Sequence, residues 1–373
     1  GLGKFNRILD IDYPNRCVTA QPGVTNLAIT HAVQADGFYY APDPSSQIAC
    51  SIGGNVAENS GGVHCLKYGL TANNLLGLDF VTMEGEVMRI GGRHLDSGGY
   101  DILGMITGSE GLLGIITEVT VRILQKPSTA RALLIAFPTV GEGGKCVGDI
   151  ISAGIIPGGM EMMDNPAIVA AEAFVNVGYP TDAGSLLIVE LDGPEVEVDY
   201  LIERVREIAE GCGASSVRIS ESEEERMAFW AGRKAAFPAV GRLSPDYFCM
   251  DGTIPRSELP RVLSEMGEMS QKYGLGVANV FHAGDGNLHP LILFDANKPD
   301  DLRKAEDFGA DILKLCVRVG GVLTGEHGVG VEKRDLMGEM FDEDDLKHQQ
   351  RLKCVFDPDG LLTHIDPWIN GND

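Results

Sequence analysis

Apolar and polar residues recur along the chain in patterns that divide it into three blocks. In the first block, residues 115–124 place apolar side chains at every second position, which predicts a β-strand with one buried face. Residues 78–90 predict a hairpin that turns at Glu84-Gly85. The last block begins near residue 330 and has a helical pattern as far as Phe356.

The middle block alternates between strand and helix patterns. Strands are predicted over Leu133–Phe137, Leu186–Leu191, Tyr247–Ile254, Val277–His282 and His289–Phe294. Helices are predicted over Gly144–Ala153, Glu195–Glu210, Glu221–Ala235, Arg256–Lys272 and Asp300–Val319. This order favours the α+β class, with an antiparallel or mixed sheet and helices on one face. With a boundary at Lys126-Pro127-Ser128, we predict domains over residues 1–127, 128–327 and 328–373.

Two histidines flank the strongest turn signal of the chain. Asp285-Gly286 lies between two apolar segments and predicts a two-residue hairpin loop. That register makes His282 and His289 direct cross-strand partners on one face, with Cβ atoms about 4.5–5.5 Å apart. Two imidazoles this close form half of a metal site. The alternative is a packed pair of histidines whose hydrogen bonds go to the backbone.

A second segment adds a carboxylate and a third imidazole. Glu326 and His327 lie in a glycine-rich stretch over residues 320–330. Adjacent side chains on an extended backbone point in opposite directions, so one of the two would bind a metal while the other faces a substrate. His282, His289 and Glu326 would supply two nitrogens and one oxygen, a set suited to Zn²⁺, Mn²⁺ or Fe²⁺.

The third candidate is an arginine on a predicted helix. Trp230 and Arg233 are three residues apart and therefore lie on one face of that helix. A guanidinium at the edge of an apolar stripe is able to hold a carboxylate through two parallel hydrogen bonds. The alternative is a surface arginine that pairs with a nearby carboxylate such as Glu225.

Composition and charge exclude several classes of function. The chain has 30 basic and 54 acidic residues, a net charge of −24, so binding of nucleic acid through its phosphates is not expected. The sequence contains no apolar stretch long enough to span a membrane. The eight cysteines form no C-x-x-C pair, which indicates a cytoplasmic protein without a disulfide framework or a zinc ribbon.

Glycine is the unusual residue of this chain. There are 48 glycines, and 15 of them lie between Cys50 and Ile115 among apolar residues. This distribution indicates backbone that approaches a ligand closely. No G-x-x-x-x-G-K-[ST] and no strand-framed G-x-G-x-x-G is present, which disfavours nucleotide hydrolysis and ordinary nicotinamide binding.

Several motifs together resemble a known family. These are Pro42-Asp43-Pro44-Ser45-Ser46, the stretch from Ser51 to Gly62, Lys67-Tyr68-Gly69, the stretch from Gly108 to Thr117, Trp230-Ala231-Gly232-Arg233-Lys234 and the two histidine segments. In this order they resemble the FAD-linked D-2-hydroxyacid dehydrogenase and oxidase family, and within it the glycolate oxidase branch. The resemblance implies the C-terminal part of a vanillyl-alcohol-oxidase-like FAD-binding domain followed by an α+β cap domain with an antiparallel sheet.

The resemblance also implies roles for individual residues. The residues implied to line FAD are Pro42, Ser45, Gly53, Gly54, Asn55, Asn59, Gly61, Gly62, Gly69, Glu110, Gly111 and Ile116. His282, His289 and Glu326 correspond to the metal ligands of the family, His327 to its catalytic base, and Arg233 to the residue that holds the substrate carboxylate.

By resemblance, the reaction is the metal-assisted oxidation of a D-2-hydroxy acid to the 2-oxo acid, with hydride transfer to flavin N5. Cys249 and Met250 offer no cation for a second carboxylate, which favours glycolate or D-lactate as the substrate. Electrons would pass to a quinone or to partner subunits of a glycolate oxidase-type complex, its flavin and iron–sulfur subunits. The protein would be cytoplasmic, and these partners would attach it peripherally to the inner membrane.

Two other functions remain open at this point. The flavin domain of the resembled family starts about one subdomain earlier, so we expect this chain to lack the N-terminal flavin subdomain. A fragment or a noncatalytic subunit without flavin is therefore one alternative. A metal-dependent hydrolase that uses the same histidines is the other, although it leaves the glycine-rich stretch unexplained.

Overall fold

The computed structural model describes residues 1–94 and 98–362, and the chain folds into two compact units. The first unit contains residues 1–126 and the segment that begins at Glu326, and the second unit is Pro127–Gly325. Residues 363–373, which end the third predicted domain, lie outside the described residues. Each unit is built on its own antiparallel sheet.

A five-stranded sheet forms the centre of the first unit. The strands of this unit are β1 (Ile8–Asp12), β2 (Cys17–Ala20), β3 (Phe38–Tyr39), β4 (Leu75–Val81), β5 (Val87–Gly91), β6 (Ile115–Arg122) and β7 (Leu124–Gln125). The order in the sheet is β1-β2-β6-β4-β5, and β3 pairs separately with β7. β4 and β5 form the hairpin predicted at Glu84-Gly85, and Gly85 supplies the positive φ of 82° in its turn.

Short helices pack against this sheet. They are α1 (Asn26–Val33), α2 (Ile52–Glu58), α3 (Cys65–Tyr68), α4 (Thr71–Asn74) and α5 (Ile102–Ile106). α2 begins after Ser51, whose side-chain oxygen accepts a hydrogen bond from the N–H of Gly54 at 3.2 Å. Val56 of α2 packs with Phe80 of β4 in the apolar core, so the sheet fixes the position of the glycine-rich helix.

The second unit is built on a seven-stranded antiparallel sheet in the order β11-β8-β10-β9-β13-β14-β12. Its strands are β8 (Thr129–Phe137), β9 (Gly159–Asp164), β10 (Ser185–Gly193), β11 (Ser216–Ile219), β12 (Asp246–Cys249), β13 (Val277–Phe281) and β14 (Pro290–Phe294). Its helices are α6 (Val140–Ser152), α7 (Asn165–Val175), α8 (Glu195–Gly211), α9 (Glu223–Val240), α10 (Leu259–Tyr273) and α11 (Asp301–Arg318).

Helices cover both faces of this second sheet, so the prediction of helices on one face is wrong. All six residues of β9 are buried, although successive side chains point to opposite faces. α9 packs against the face of the sheet that carries the Glu161 side chain, and its Arg233 forms an ion pair with that residue. α6 lies against the other face, where a Cβ added to its Gly143 would come within 2.9 Å of the Met162 side chain.

The ends of one predicted strand and one predicted helix are among the boundaries that change. The regular strand predicted over Tyr247–Ile254 ends at Cys249, and beyond it the pairing with the hairpin continues only as isolated contacts, such as the bridge between Thr253 and Asn287. Asp251 in this irregular stretch binds the backbone of Gly325 instead. The helix predicted to end at Ala235 continues to Val240 with Pro238 inside it. Ala236, Ala239 and Val240 are buried, so packing stabilises this last turn in spite of the proline.

The last two helices of the described residues are α12 (Met337–Met340) and α13 (Glu343–Phe356), and both belong to the first unit. α13 ends at Phe356 as predicted, and the centroid of this ring lies 6.3 Å from that of Phe80 in the core of the unit. In the part of the chain that the structure describes, no helix has both the length and the apolar character needed to cross a bilayer.

One buried carboxyl group makes the stability of the second unit dependent on pH. Asp164 caps α7, and burial raises the pKa of its carboxyl group to about 6. The folded-state pKa lies above the unfolded value, so the contribution of this one group to stability is most favourable below pH 4 and falls by about 3 kcal/mol between pH 4 and 6. In Asp164→Asn this contribution is absent.

We therefore expect the free energy of unfolding of the wild type, relative to that of Asp164→Asn, to fall over this pH range and to stay level above it. Urea titrations at a series of pH values measure the difference. Asp199→Asn removes an exposed carboxylate of the same unit and serves as the control. A difference between wild type and Asp164→Asn that does not change with pH would contradict the prediction.

Candidate active site

The two histidines of the predicted hairpin lie side by side in the second unit. Their ring centroids are 5.1 Å apart and the ring planes are nearly perpendicular, at 88°. Both side chains are buried. However, His282 stands opposite Asn287 and not opposite His289, so the prediction that the histidines are direct cross-strand partners is wrong.

The difference arises because the turn contains four residues, 283–286, and not two. Asn279 pairs with Pro290, and the same register continues to the bridge between His282 and Asn287. A register shift of one residue moves each side chain to the other face, whereas a shift of two residues keeps it on the same face. Both histidines therefore remain on the predicted face as diagonal neighbours, and for this reason their rings still meet.

Neighbouring segments hold the backbone of this longer turn. The N–H of Gly284 donates to the carbonyl of Met160 at 3.0 Å, and the Arg256 guanidinium donates to the carbonyl of Gly284 at 2.9 Å. The N–H of Ile254 donates to the carbonyl of Gly286 at 3.0 Å. These partners are remote in the sequence, so no local pattern predicts the turn length.

A buried carboxylate connects one of the histidines to the candidate arginine. Oε1 of Glu161 lies 2.6 Å from Nδ1 of His282. Oε2 of the same residue accepts a hydrogen bond from Nε of Arg233 at 2.8 Å and lies 2.7 Å from Nη2 of the same guanidinium. Because the carboxylate accepts at Nδ1, the Nε2 nitrogen of His282 carries the lone pair that is able to bind a cation. Imidazole nitrogens such as this one, with His289 beside it, therefore fit a divalent metal.

Arg233 is a buried residue and not the surface arginine of the alternative interpretation. Its side chain is 3% exposed and it pairs with Glu161. Glu225, the partner considered in that alternative, binds Arg218 on the surface instead. The correction follows from the helix position, because Arg233 points toward the sheet and the first turn of α9 is solvent-exposed.

α9 carries a second contact of the same kind. Its residues Arg226, Trp230 and Arg233 follow each other by four and three positions, so they share one face. Arg226 and Trp230 both donate to the buried carboxylate of Glu190 on β10. Glu190 pairs in register with Gly159 and Glu161 pairs with Ile188, which places both glutamates on one face of the sheet.

Another buried carboxylate orders the segment that leads to Glu326. Asp251 is fully buried, and its Oδ2 accepts a hydrogen bond from the N–H of Gly325 at 2.9 Å. The hydroxyl of Thr324 donates to Oδ1 of the same residue at 3.2 Å. Asp251 and Glu161 are therefore the functional candidates of this unit that sequence analysis missed.

Glu326 and His327 belong to the first unit. Oε2 of Glu326 accepts a hydrogen bond from the N–H of Gly61 at 2.9 Å, which joins the third predicted ligand to a residue predicted to line FAD. His327 is exposed. The backbone directly after it is held by Glu110, whose carboxylate accepts from the N–H groups of Val329 and Gly330 at 2.7 and 2.9 Å.

The residues predicted to line FAD come from three segments of the first unit. Pro42 and Ser45 precede α2; Gly53, Gly54, Asn55, Asn59, Gly61, Gly62 and Gly69 lie within α2 or in the residues that follow it; Glu110, Gly111 and Ile116 lie before and at the start of β6. Hydrogen bonds connect the second segment to the third, because Gly108 and Glu110 donate their N–H groups to the carbonyls of Val56 and Ala57 at 2.9 and 2.8 Å.

Part of this glycine content serves the packing of the unit itself. A Cβ on Gly53 would lie 2.5 Å from the Cβ of Pro22. A Cβ on Gly62 would lie 2.5 Å from the backbone carbon of Asp43. At these two positions, close contact between chain segments is by itself sufficient reason for glycine.

Asn55 provides the test of whether the stretch fits a polar cofactor. It is 1% exposed, and among the described residues neither its Oδ1 nor its Nδ2 has a hydrogen-bond partner. A buried amide without partners is costly, so it requires a polar group from outside the chain. Gly111, which has a φ of 75°, has open space where a Cβ would lie. Both observations fit the binding of FAD.

An additional imidazole–carboxylate pair lies close to these segments. Nδ1 of His64 is 2.8 Å from Oδ2 of Asp43, and the N–H of His64 donates to Oδ1 of the same residue at 3.1 Å. Asp43 belongs to the Pro-Asp-Pro-Ser-Ser motif that carried the resemblance, but no spacing in the sequence connects it to His64. The pair was therefore not predicted.

Comparisons with known proteins identify the family of this chain. The model described as "FAD linked oxidases, C-terminal domain" matches residues 126–364, and the model described as "FAD binding domain" matches residues 1–91. The glycolate oxidase subunit GlcD of Escherichia coli K12 is 58% identical over 97% of this chain and 72% of that protein. A D-lactate dehydrogenase of Anaerostipes hadrus is 29% identical over 97% of this chain and 78% of its own length.

A solved structure, that of 4-ethylphenol oxidase from Gulosibacter chungangensis, matches with a TM-score of 0.74 over 95% of this chain and 77% of that chain. At 16% identity this match concerns the fold alone. It confirms the vanillyl-alcohol-oxidase-like α+β fold predicted from the sequence. Together with the two family models and the identity to GlcD, these findings establish that the chain belongs to the FAD-linked oxidase family.

Proposed function

We propose that this FAD-linked oxidase converts a small D-2-hydroxy acid, glycolate or D-lactate, to the corresponding 2-oxo acid. The observation that carries the proposal is the buried array in which Glu161 joins the imidazole of His282 to the guanidinium of Arg233. A 2-hydroxy acid has a carboxylate and a hydroxyl on adjacent carbons. In this array, Arg233 is the proposed partner of the carboxylate, and a cation held by the histidines is the proposed partner of the hydroxyl. The names of the two relatives, glycolate oxidase subunit and D-lactate dehydrogenase, support the same substrate class.

His282 and His289 are proposed to hold a divalent cation (Zn²⁺, Mn²⁺ or Fe²⁺), with Glu326 as the third ligand that the family resemblance implies. A bound cation of this kind would supply Lewis-acid polarisation of the substrate hydroxyl. Bound FAD would supply the electron acceptor for the two electrons of the oxidation. The proposed lining of FAD is the set of twelve residues in the three segments of the first unit.

Arg233 is proposed to bind the substrate carboxylate. Glu161 occupies the Nε and Nη2 side of the guanidinium, so the Nη1 side is the one proposed for the substrate. His327 is proposed as the general base that takes the proton of the substrate hydroxyl. An imidazole suits this role because its ordinary pKa of about 6.5 is close to neutral pH.

The proposed partners follow from the same relatives. One of them is itself named a subunit of glycolate oxidase, so we propose that electrons leave toward partner subunits (a second flavin subunit and an iron–sulfur subunit) or toward a quinone. A cytoplasmic location, peripheral to the inner membrane through those partners, belongs to the same proposal.

Anaerobic bleaching of the flavin absorption tests the function and the substrate together. We expect protein purified with FAD to be bleached by glycolate or D-lactate. We expect D-2-hydroxyglutarate to react about 100-fold more slowly, because its second carboxylate would be desolvated without a cation near Cys249 and Met250. L-Lactate serves as the stereochemical control.

Two results would contradict the proposal. Equal bleaching rates with D-2-hydroxyglutarate and glycolate would remove the substrate assignment. Protein that carries no flavin after reconstitution with FAD, whether or not it hydrolyses substrates in the presence of metal, would favour the flavin-free subunit or the hydrolase instead.

A further inference from the structure

We propose that Glu161 is a positioning residue that couples cation binding by His282 to recognition of the substrate carboxylate by Arg233. The inference rests on the proposed function, and it adds a specific role for a residue that does not itself contact the substrate or the cation. Its basis is the division of one buried carboxylate between two functional side chains.

The first step of the argument is the position of Glu161. It lies in the middle of β9, is 1% exposed, and has sheet neighbours on both sides, because β9 pairs with β10 and β13. Its carboxylate therefore has little freedom to move. A rigid acceptor of this kind fixes the orientation of whatever donates to it.

The second step concerns the imidazole. A carboxylate that accepts from Nδ1 selects the tautomer with hydrogen on Nδ1, which leaves Nε2 for the cation and makes it a better donor of its lone pair. The distance of 2.6 Å between Oε1 and Nδ1 is that of a short hydrogen bond. Glu161 thus determines which nitrogen of His282 carries the hydrogen and which carries the lone pair.

The third step concerns the guanidinium. The hydrogen bond from Nε and the close approach of Nη2 converge on Oε2 and hold the guanidinium of Arg233, and the negative charge of Glu161 compensates its positive charge in a buried place. A change in the charge or orientation of Glu161 therefore alters the contacts of both His282 and Arg233. Cation affinity and carboxylate recognition share this one acceptor.

Glu190 is the residue of the same unit with which Glu161 is best compared. It is also buried, lies on the same face of the sheet and binds two side chains of α9, Arg226 and Trp230. These two partners, a guanidinium and an indole, are not among the proposed ligands of the cation. Glu190→Gln is consequently a matched control for Glu161→Gln.

The experiment measures Mn²⁺ binding by isothermal titration and hydroxy-acid turnover separately, on the complete chain with FAD. We expect Glu161→Gln to weaken Mn²⁺ binding by about 10–100-fold, because an amide does not accept from both partners at once. We also expect the KM for glycolate to rise. We expect Glu190→Gln to lower the melting temperature but to bind Mn²⁺ like the wild type.

Glu161→Asp covers the case in which Glu161→Gln fails to fold. It keeps the charge and shortens the side chain by one carbon, so we expect weaker Mn²⁺ binding with the fold retained. Unchanged Mn²⁺ affinity in folded Glu161→Gln or Glu161→Asp would overturn the inference, and so would equal weakening in Glu190→Gln. Failure of the proposed function is distinguishable, because wild-type protein would then bind Mn²⁺ in a Glu161-dependent way but would oxidise no hydroxy acid.

Discussion

Replacement of His289 by asparagine is expected to lower the turnover of the hydroxy acid by about three orders of magnitude. The reason is that Lewis-acid stabilisation by a bound cation contributes several kcal/mol, and each 1.36 kcal/mol corresponds to about a tenfold change in rate. His289 is a better choice than His282 for this test, because the loss of His282 would also remove a partner from Glu161. Steady-state kinetics and elemental analysis of bound metal measure the two effects.

His348→Asn is the matched control for this variant. His348 is an exposed imidazole on α13 whose Nδ1 lies 2.6 Å from the carbonyl of Asp344, and we expect its replacement to leave turnover and metal content unchanged. Turnover by His289→Asn within tenfold of the wild type, with the same metal content, would show that the histidine pair is structural. That result would favour the alternative in which the two imidazoles are packed side by side and bind no metal.

Arg233→Ala is expected to destabilise the second unit by about 3–5 kcal/mol, because it leaves the Glu161 carboxylate buried without its cationic partner. The side chains of Arg233 and Glu161 are 3% and 1% exposed, so water does not replace the lost contact. Urea titration followed by fluorescence or circular dichroism measures the free energy of unfolding. Catalytic activity is not needed for this measurement.

Two further variants make the result specific. Arg131→Ala removes a surface ion pair with Asp199, for which about 0–1 kcal/mol is expected. The double variant Arg233→Met/Glu161→Gln removes both buried charges, and we expect it to recover part of the lost stability. A destabilisation by Arg233→Ala as small as that by Arg131→Ala would mean that the buried pair contributes little.

The hairpin at residues 277–294 shows how far a sequence pattern reaches. Period-two alternation correctly predicted that His282 and His289 share a face, because a shift of two residues preserves the face of each side chain. The turn length was not predictable, because the four-residue turn is stabilised by Met160 and Ile254, which belong to other segments.

Glu161 was missed for a related reason. It lies within an apolar strand, and its partners Arg233 and His282 follow it by 72 and 121 positions. Sequence motifs reveal residues that are neighbours along the chain, whereas a buried ion pair across a sheet depends on which strands and helices become neighbours in space. Asp251 and the pair of His64 and Asp43 were missed in the same way.

The family, the α+β class, most of the strands and helices and the face of the two histidines were all predictable from the printed residues. These properties depend on the order of motifs and on local periodicity, which the printed chain contains. The register of the turn, the helices on both faces of the second sheet and the contacts of Glu161 and Asp251 became known from the folded chain alone. These properties depend on packing between segments far apart in the chain. A buried carboxylate is costly to desolvate unless it is paired, and the fold determines which donors lie close enough to pair with it.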